Sequence, residues 1–279
     1  MKIRITIEVP DDCKCQMTDC SQPAIDDVSS PTPITPDSPP AYDTKETLLY
    51  SIKSSETDVV KFLKDDNYWV FMDGIHPTDL DNDRVTQYVS KRPEGVIMVT
   101  LDGEDGDFMG GSLNSRTELS LNKFFPIERV YRINTTVRAS DVTSATFMQF
   151  AGRNPKNQGK PIVVLDTFND WIHLRYRDIE AEQKAGKEWM TRVALAPAKS
   201  IQGEWVDLSV EIFVTRSNRG FIRGFVNGKL AAQVVDKPTY WADSTADMKL
   251  SFGVYATKSV GDQSMEFSRV DLLELPLLE

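Results

Sequence analysis

Between residues 3 and 9 the apolar side chains Ile3, Ile5, Ile7 and Val9 alternate with Arg4, Thr6 and Glu8. A period of two puts one set on each face of an extended chain, so the segment predicts a β-strand with one buried side. Residues Ser21 to Tyr42 break that pattern, with six prolines among small polar residues. Such a stretch buries too little apolar surface to fold by itself and predicts an extended tether. From Asp43 onward, short β-branched and aromatic runs recur between turn signals: "GVIMVTL", "RVYRINTTVR", "ATFMQFA", "PIVVLD", "WIHLRYR", "WVDLSVEIFVT", "FIRGFV", "KLAAQVV", "LSFGVYA" and "MEFSRVDLLEL". So many strands at short spacing predict an all-β fold, an antiparallel two-sheet β-sandwich of the jelly-roll kind. Asn227-Gly228 between two of these runs predicts a tight hairpin, because both turn positions need positive φ. Helix formers cluster only near "TDVVKFLKD" and "DIEAEQKAGKEW".

The pattern divides the chain into three parts: residues 1–20 as an anchor arm, 21–42 as the tether, and 43–279 as the sandwich body. A lone strand separated from its domain suits addition to the edge of another protein's sheet, through backbone hydrogen bonds. The alternative is an edge strand folded back on its own body. The only cysteines, Cys13, Cys15 and Cys20, directly follow that strand. A closed zinc site wants four ligands, and both histidines, His76 and His173, lie far away in sequence, so no metal site is expected. The odd count leaves at least one thiol for a partner chain. These residues are therefore expected to form an inter-chain disulfide where the anchor meets its host.

Composition narrows the partners. The 279 residues carry a net charge of −10, which disfavours nucleic acid as a ligand because phosphate contacts need a surplus of Lys and Arg. No apolar run is long enough to span a membrane. The N-terminus lacks the apolar core and cleavage site of a signal peptide, so synthesis in a cytoplasm is expected. No cofactor signature is present.

Three stretches could carry chemistry. In "SRTELSL", Arg116 and Glu118 share one strand face, either as a structural ion pair or as an arginine fork held for a carboxylate ligand. In "WIHLRYR", His173, Arg175 and Arg177 alternate with apolar residues, giving a cationic stripe that on an acidic chain is either a solvated outer face or an attractor of anions. Tyr255 in "FGVYA" follows a glycine in a late strand.

Together, "SRTELSL", "FMQFAGRN" and "LSFGVYATKS" resemble, in order and approximate spacing, the three motifs of the alginate lyase family, polysaccharide lyase family seven. The wider relatives are glucuronan- and heparin-lyase-like jelly rolls of the concanavalin type. The resemblance implies a uronate-binding site in which Arg116 and Gln149 neutralise the sugar carboxylate and Tyr255 handles protons, all three on one concave face. It also shows departures. Ala151 stands where the family has a histidine, Lys249 replaces the first tyrosine of the third motif, and Ser251 replaces its lysine.

Anchor, tether and incomplete site together lead to two expectations. The first is a structural virion component: a phage capsid decoration, collar or tail appendage, made in the host cytoplasm and held to a capsid, collar or tail protein through residues 1–42. It is expected to be a homo-oligomer that displays a lectin-like, non-catalytic jelly roll. Arg116, Glu118, Gln149, His173, Arg175, Arg177 and Tyr255 are then its glycan-binding residues, facing an anionic polysaccharide. The alternative is a polysaccharide lyase that cleaves a uronate polymer by β-elimination, with Arg116, Gln149 and Tyr255 catalytic.

Overall fold

Two long strands organise the molecule: β6 (Arg129–Ala139) and β15 (Gln263–Leu275), paired along almost their full length. The computed structural model describes residues 46–52, 58–65, 68–72, 83–92, 94–101, 114–140, 144–245, 247–257 and 262–277. The expected anchor strand, cysteine cluster and tether lie outside the described residues.

β6 and β15 sit inside an eight-stranded sheet. Its path runs β13 (Lys229–Val234), β12 (Phe221–Val226), β11 (Val206–Val214), β6, β15, β4 (Ile97–Leu101), β3 (Val89–Lys91), with β1 (Thr47–Ser51) also paired to β15. The second sheet has seven strands in the order β10 (Met190–Pro197), β9 (Trp171–Arg177), β8 (Gly159–Phe168), β7 (Ala145–Arg153), β14 (Met248–Thr257), β5 (Asn114–Leu121), β2 (Tyr68–Met72). Every strand pairing in both sheets is antiparallel. The fold is the two-sheet jelly-roll sandwich that the alternation predicts. Among the described residues three α-helices interrupt it: α1 (Val59–Asp65), α2 (Asp83–Tyr88) and α3 (Ile179–Ala185).

The inner faces meet through aromatic rings. Phe252 of β14 packs on Phe267 of β15 at 5.2 Å between centroids, and Phe150 of β7 packs on Tyr131 of β6 at 5.5 Å. All four are buried, and each such ring contributes roughly 1.5–3 kcal/mol by leaving water. Tyr131 keeps its polar end satisfied by donating its hydroxyl to the Pro126 carbonyl at 2.6 Å.

Local sequence accounts for the punctuation. Asn227 and Gly228 adopt φ of 48° and 74°, the geometry of the predicted hairpin between β12 and β13. In α3 the Asp178 carboxylate caps the Ala181 amide at 3.1 Å, and Gly186 ends the helix in the left-handed region. The strand patterns did not reveal β1, β2, β3 and β10. β3 is only three residues long, and "MTRVALAP" of β10 holds a single β-branched apolar residue and ends in proline.

One close approach fixes how β7 meets the segment before β14. A Cβ at Gly152 would lie 2.4 Å from a ring carbon of Tyr240. The Tyr240 hydroxyl donates to the Thr245 carbonyl at 2.7 Å and accepts from the Arg153 amide at 3.1 Å. Gly152→Ala is expected to destabilise the fold by about 1–3 kcal/mol, the usual cost of overpacking. Urea denaturation measures it as a lower midpoint at unchanged slope.

Candidate functional site

The seven-stranded sheet buries one face against its partner, so alternate residues of its strands emerge on the other. On β14, Leu250, Phe252 and Val254 point into the core, which turns Lys249, Ser251, Gly253 and Tyr255 outward. The register then sets their neighbours. Tyr255 lies opposite Arg116 on β5, Gly253 opposite Glu118, and Ser251 opposite both Ser120 and Gln149. The residues of the three motifs thus come from three adjacent strands, β7, β14 and β5, and share one outer face.

Their side chains are linked. Gln149 donates its amide to the Glu118 carboxylate at 2.5 Å, and the other carboxylate oxygen lies 3.8 Å from the Arg116 guanidinium. Glu118 is buried. Burial pushes its carboxyl above the ordinary range, with Arg116 and the Gln149 hydrogen bond opposing. This places a held amide and a half-exposed guanidinium side by side, a pair suited to gripping a carboxylate. Close approach of the two strands is possible because residue 253 is glycine: at φ of 146°, a Cβ there would meet the Thr117 carbonyl at 2.3 Å.

On the β7 side, Tyr255 lies opposite Thr146. Arg175 of β9 reaches over β8 and donates to the Thr146 hydroxyl at 3.3 Å. Its Nε lies 3.2 Å from Asp166. Burial lowers the affinity of Arg175 for its proton, and the charges of Asp166 and Tyr255 oppose that. Asp166, itself buried, also faces His173 at 3.9 Å and Arg192 of β10 at 3.5 Å. Asp166 therefore gathers three basic side chains and holds Arg175 toward Tyr255.

The predicted cationic stripe does not survive as a surface. Arg177 is almost wholly buried. Its guanidinium pairs with Glu182 of α3 at 2.5 Å and Glu188 at 3.5 Å, donates from Nε to the Pro161 carbonyl at 2.9 Å, and lies over the Trp241 ring. That cluster closes the end of the sheet and is out of reach of a glycan. His173 is buried too, and burial pushes its imidazole below the ordinary value, with Asp166 opposing, so it is neutral at neutral pH. His173 and Arg175 both lie on β9, three strands from Tyr255 and roughly 14 Å across the sheet at strand spacing, and it is the longer Arg175 side chain that reaches Thr146. Only Arg175 of the three joins the group around Tyr255. Sequence reading missed Asp166, Thr146 and Arg192. Asp166 was visible as the one charge closing the apolar run "PIVVLD", whereas Arg192 sits in the unrecognised strand β10.

At the other end of β14, Lys249 lies opposite Ala151. Its amine sits 3.5 Å above the Trp69 ring of β2 and 5.9 Å from Phe124. Burial, with the Arg153 charge adding, pulls it down to about 8. Among the described residues no group of three or more His, Cys, Asp or Glu is gathered as a metal site would need.

The family model described as polysaccharide lyase matches residues 66–270. Among solved structures, an endo-β-1,4-glucuronan lyase from the fungus Trichoderma reesei superposes with TM-score 0.53 at 16% identity, covering 63% of this chain and 80% of that one. A family 7 alginate lyase variant in complex with substrate gives 0.56 at 11% identity, over 77% and 95%. A non-specific endo-β-1,3(4)-glucanase of family GH16 gives 0.51 at 12%, over 85% and 94%. At these identities the structural likeness speaks for the fold. No curated protein matches by sequence.

The depressed Lys249 amine has a consequence for stability. Its ordinary value is 10.5 and its folded value about 8, so between these limits the unfolded chain binds more protons and stability rises with pH. The contribution is full above pH 10.5 and is lost as pH falls through 8. Denaturation midpoints measured across that window should climb more steeply in the wild type than in Lys249→Met, and identical slopes would refute the burial of this charge.

Proposed function

Because the chain belongs to the polysaccharide lyase family, we propose that its seven-stranded sheet binds an anionic polysaccharide on the outer face and cleaves it there by β-elimination at a uronate. The observation that carries this reading is the convergence of Arg116, Gln149 and Tyr255 from three strands, linked through Glu118 and the β5–β14 register. The expectation of a structural virion component draws no support from the family match, which favours the lyase alternative.

The chemistry assigns each group a role. Arg116 and Gln149 take the sugar carboxylate, lowering the cost of the negative charge that builds on it as C5 loses its proton. Glu118 holds both in place. The electron pair of the broken C5–H bond forms the C4–C5 double bond, and the C4–O bond to the neighbouring sugar breaks. The proton leaves to a base and a proton is returned to the departing oxygen. With Ala151 in place of a histidine, Tyr255 is the group of this cluster that can do both, flanked by the guanidiniums of Arg116 and Arg175. A base must stand within hydrogen-bond reach of the proton it takes, and the Arg116–Tyr255 cross-strand pair puts the phenol beside the carboxylate grip.

Ala151 also favours a second reading, in which the same face binds a uronate polymer without cutting it. One assay separates the two. Incubation with alginate, glucuronan or a heparin-like polymer should produce rising ultraviolet absorbance from the unsaturated uronate. Tyr255→Phe should lose it by about 10²-fold or more, the usual range for an acid–base group. Binding without any rise in the wild type would leave the non-catalytic reading.

A further inference from the structure

Beyond the reaction centre, the outer face carries a second cluster that the elimination chemistry does not use. Phe124, just after β5, is 43% exposed, large for a ring beside a well-packed sheet. Two cations stand at its ring: Lys249 at 5.9 Å and Arg153 at 5.9 Å. Lys249 is backed by Trp69, whose ring lies 3.5 Å below the amine. Arg153 is steadied by the turn after β7, donating to the Asn157 carbonyl at 3.2 Å. All four residues lie on or beside the strands that hold the reaction centre.

Register fixes the distance between the two places. Ser251 is opposite Gln149, and Lys249 is two residues further along β14, about 7 Å away at the rise of a strand. Tyr255 lies in the opposite direction. The cluster therefore flanks the carboxylate grip on the side away from the phenol, where the next sugars of a bound chain would lie.

We propose that Phe124, Lys249, Arg153 and Trp69 form an outer subsite for an anionic sugar ring, stacked on Phe124 with its carboxylate or sulfate between Lys249 and Arg153. The inference rests on the polysaccharide-binding reading of this face. Its physical basis is the crowding of two like charges against aromatic rings. The Arg153 charge and burial both disfavour the charged Lys249 amine, and an anion placed between the two cations relieves that repulsion while replacing lost hydration. An exposed aromatic ring supplies the flat apolar platform against which the C–H face of a sugar leaves water. A neutral sugar gains only the second term, so the subsite selects charge.

Calorimetric titration of the full chain with an oligoglucuronate, a sulfated oligosaccharide and a neutral cello-oligosaccharide tests this. The wild type should bind at least one anionic ligand and bind the neutral one much more weakly, and the tighter of the two anions identifies the group. Lys249→Met and Phe124→Ala should each weaken the anionic ligand about tenfold or more, the scale of a charge-assisted contact, while Lys249→Arg retains binding. Both positions leave the core untouched, and unfolding curves confirm folded variants. Wild-type affinity in Lys249→Met and Phe124→Ala, equal affinity for the neutral ligand, or no anionic binding by the wild type each overturns the subsite. Ultraviolet-detected elimination with unchanged oligosaccharide binding overturns the subsite and leaves the lyase reading. Lys249-dependent binding without elimination does the reverse.

Discussion

The placement of β14 between β5 and β7 is the constraint on which the outer face depends. Its inward residues Leu250, Phe252 and Val254 are held by the core, and a slip of one residue would exchange them for Lys249, Ser251, Gly253 and Tyr255. Burying a lysine and a tyrosine while exposing three apolar side chains is prohibitive, so the register has one solution. The strand also carries an irregularity against β7 between Phe252 and Tyr255. Such bulges re-aim a side chain, and here Tyr255 comes to face Thr146 while still paired with Arg116. Gly253 makes room for β5 at the same place.

Within a chain of net charge −10, Arg116, Arg175 and Arg192 gather on the outer side of the seven-stranded sheet. Two buried carboxylates organise them: Glu118 under Arg116 and Gln149, and Asp166 beneath Arg175, Arg192 and His173. Buried ion pairs add little net stability, because desolvation offsets attraction. Their effect here is positional: each carboxylate fixes the direction of a side chain that a surface arginine would otherwise leave to many rotamers. Arg177 shows the other use of the same residue type. Enclosed by Glu182, Glu188 and Trp241, it fastens α3 to the sheet and has no surface left for a ligand.

The substitution of Ala151 for the expected histidine changes more than one position. Ala151 sets only a methyl group opposite Lys249, whose amine extends over Trp69. Under the proposed elimination the acid–base work falls to Tyr255 at the far end of β14, while the Lys249 end is cationic and aromatic.

The alternation of apolar residues, the Asn227-Gly228 turn and the two clusters of helix formers determined an antiparallel sandwich, most of its strands and two of its helices, because those signals are local and each is read within a few residues. The three short motifs also pointed to Arg116, Gln149 and Tyr255 as candidates. What the sequence could not contain is which strands are neighbours. That Arg116 meets Tyr255, that Asp166 collects Arg175 and Arg192, and that Trp69 lies beneath Lys249 all follow from pairing between residues 9 to 180 positions apart. The same parity put His173, Arg175 and Arg177 in one row, yet only the packing of α3 and Trp241 against Arg177 decided that Arg177 is core while Arg175 stays partly exposed. Period-two patterning assigns a residue to a face. Whether that face meets solvent, a helix or a ligand is decided by what the rest of the chain lays over it.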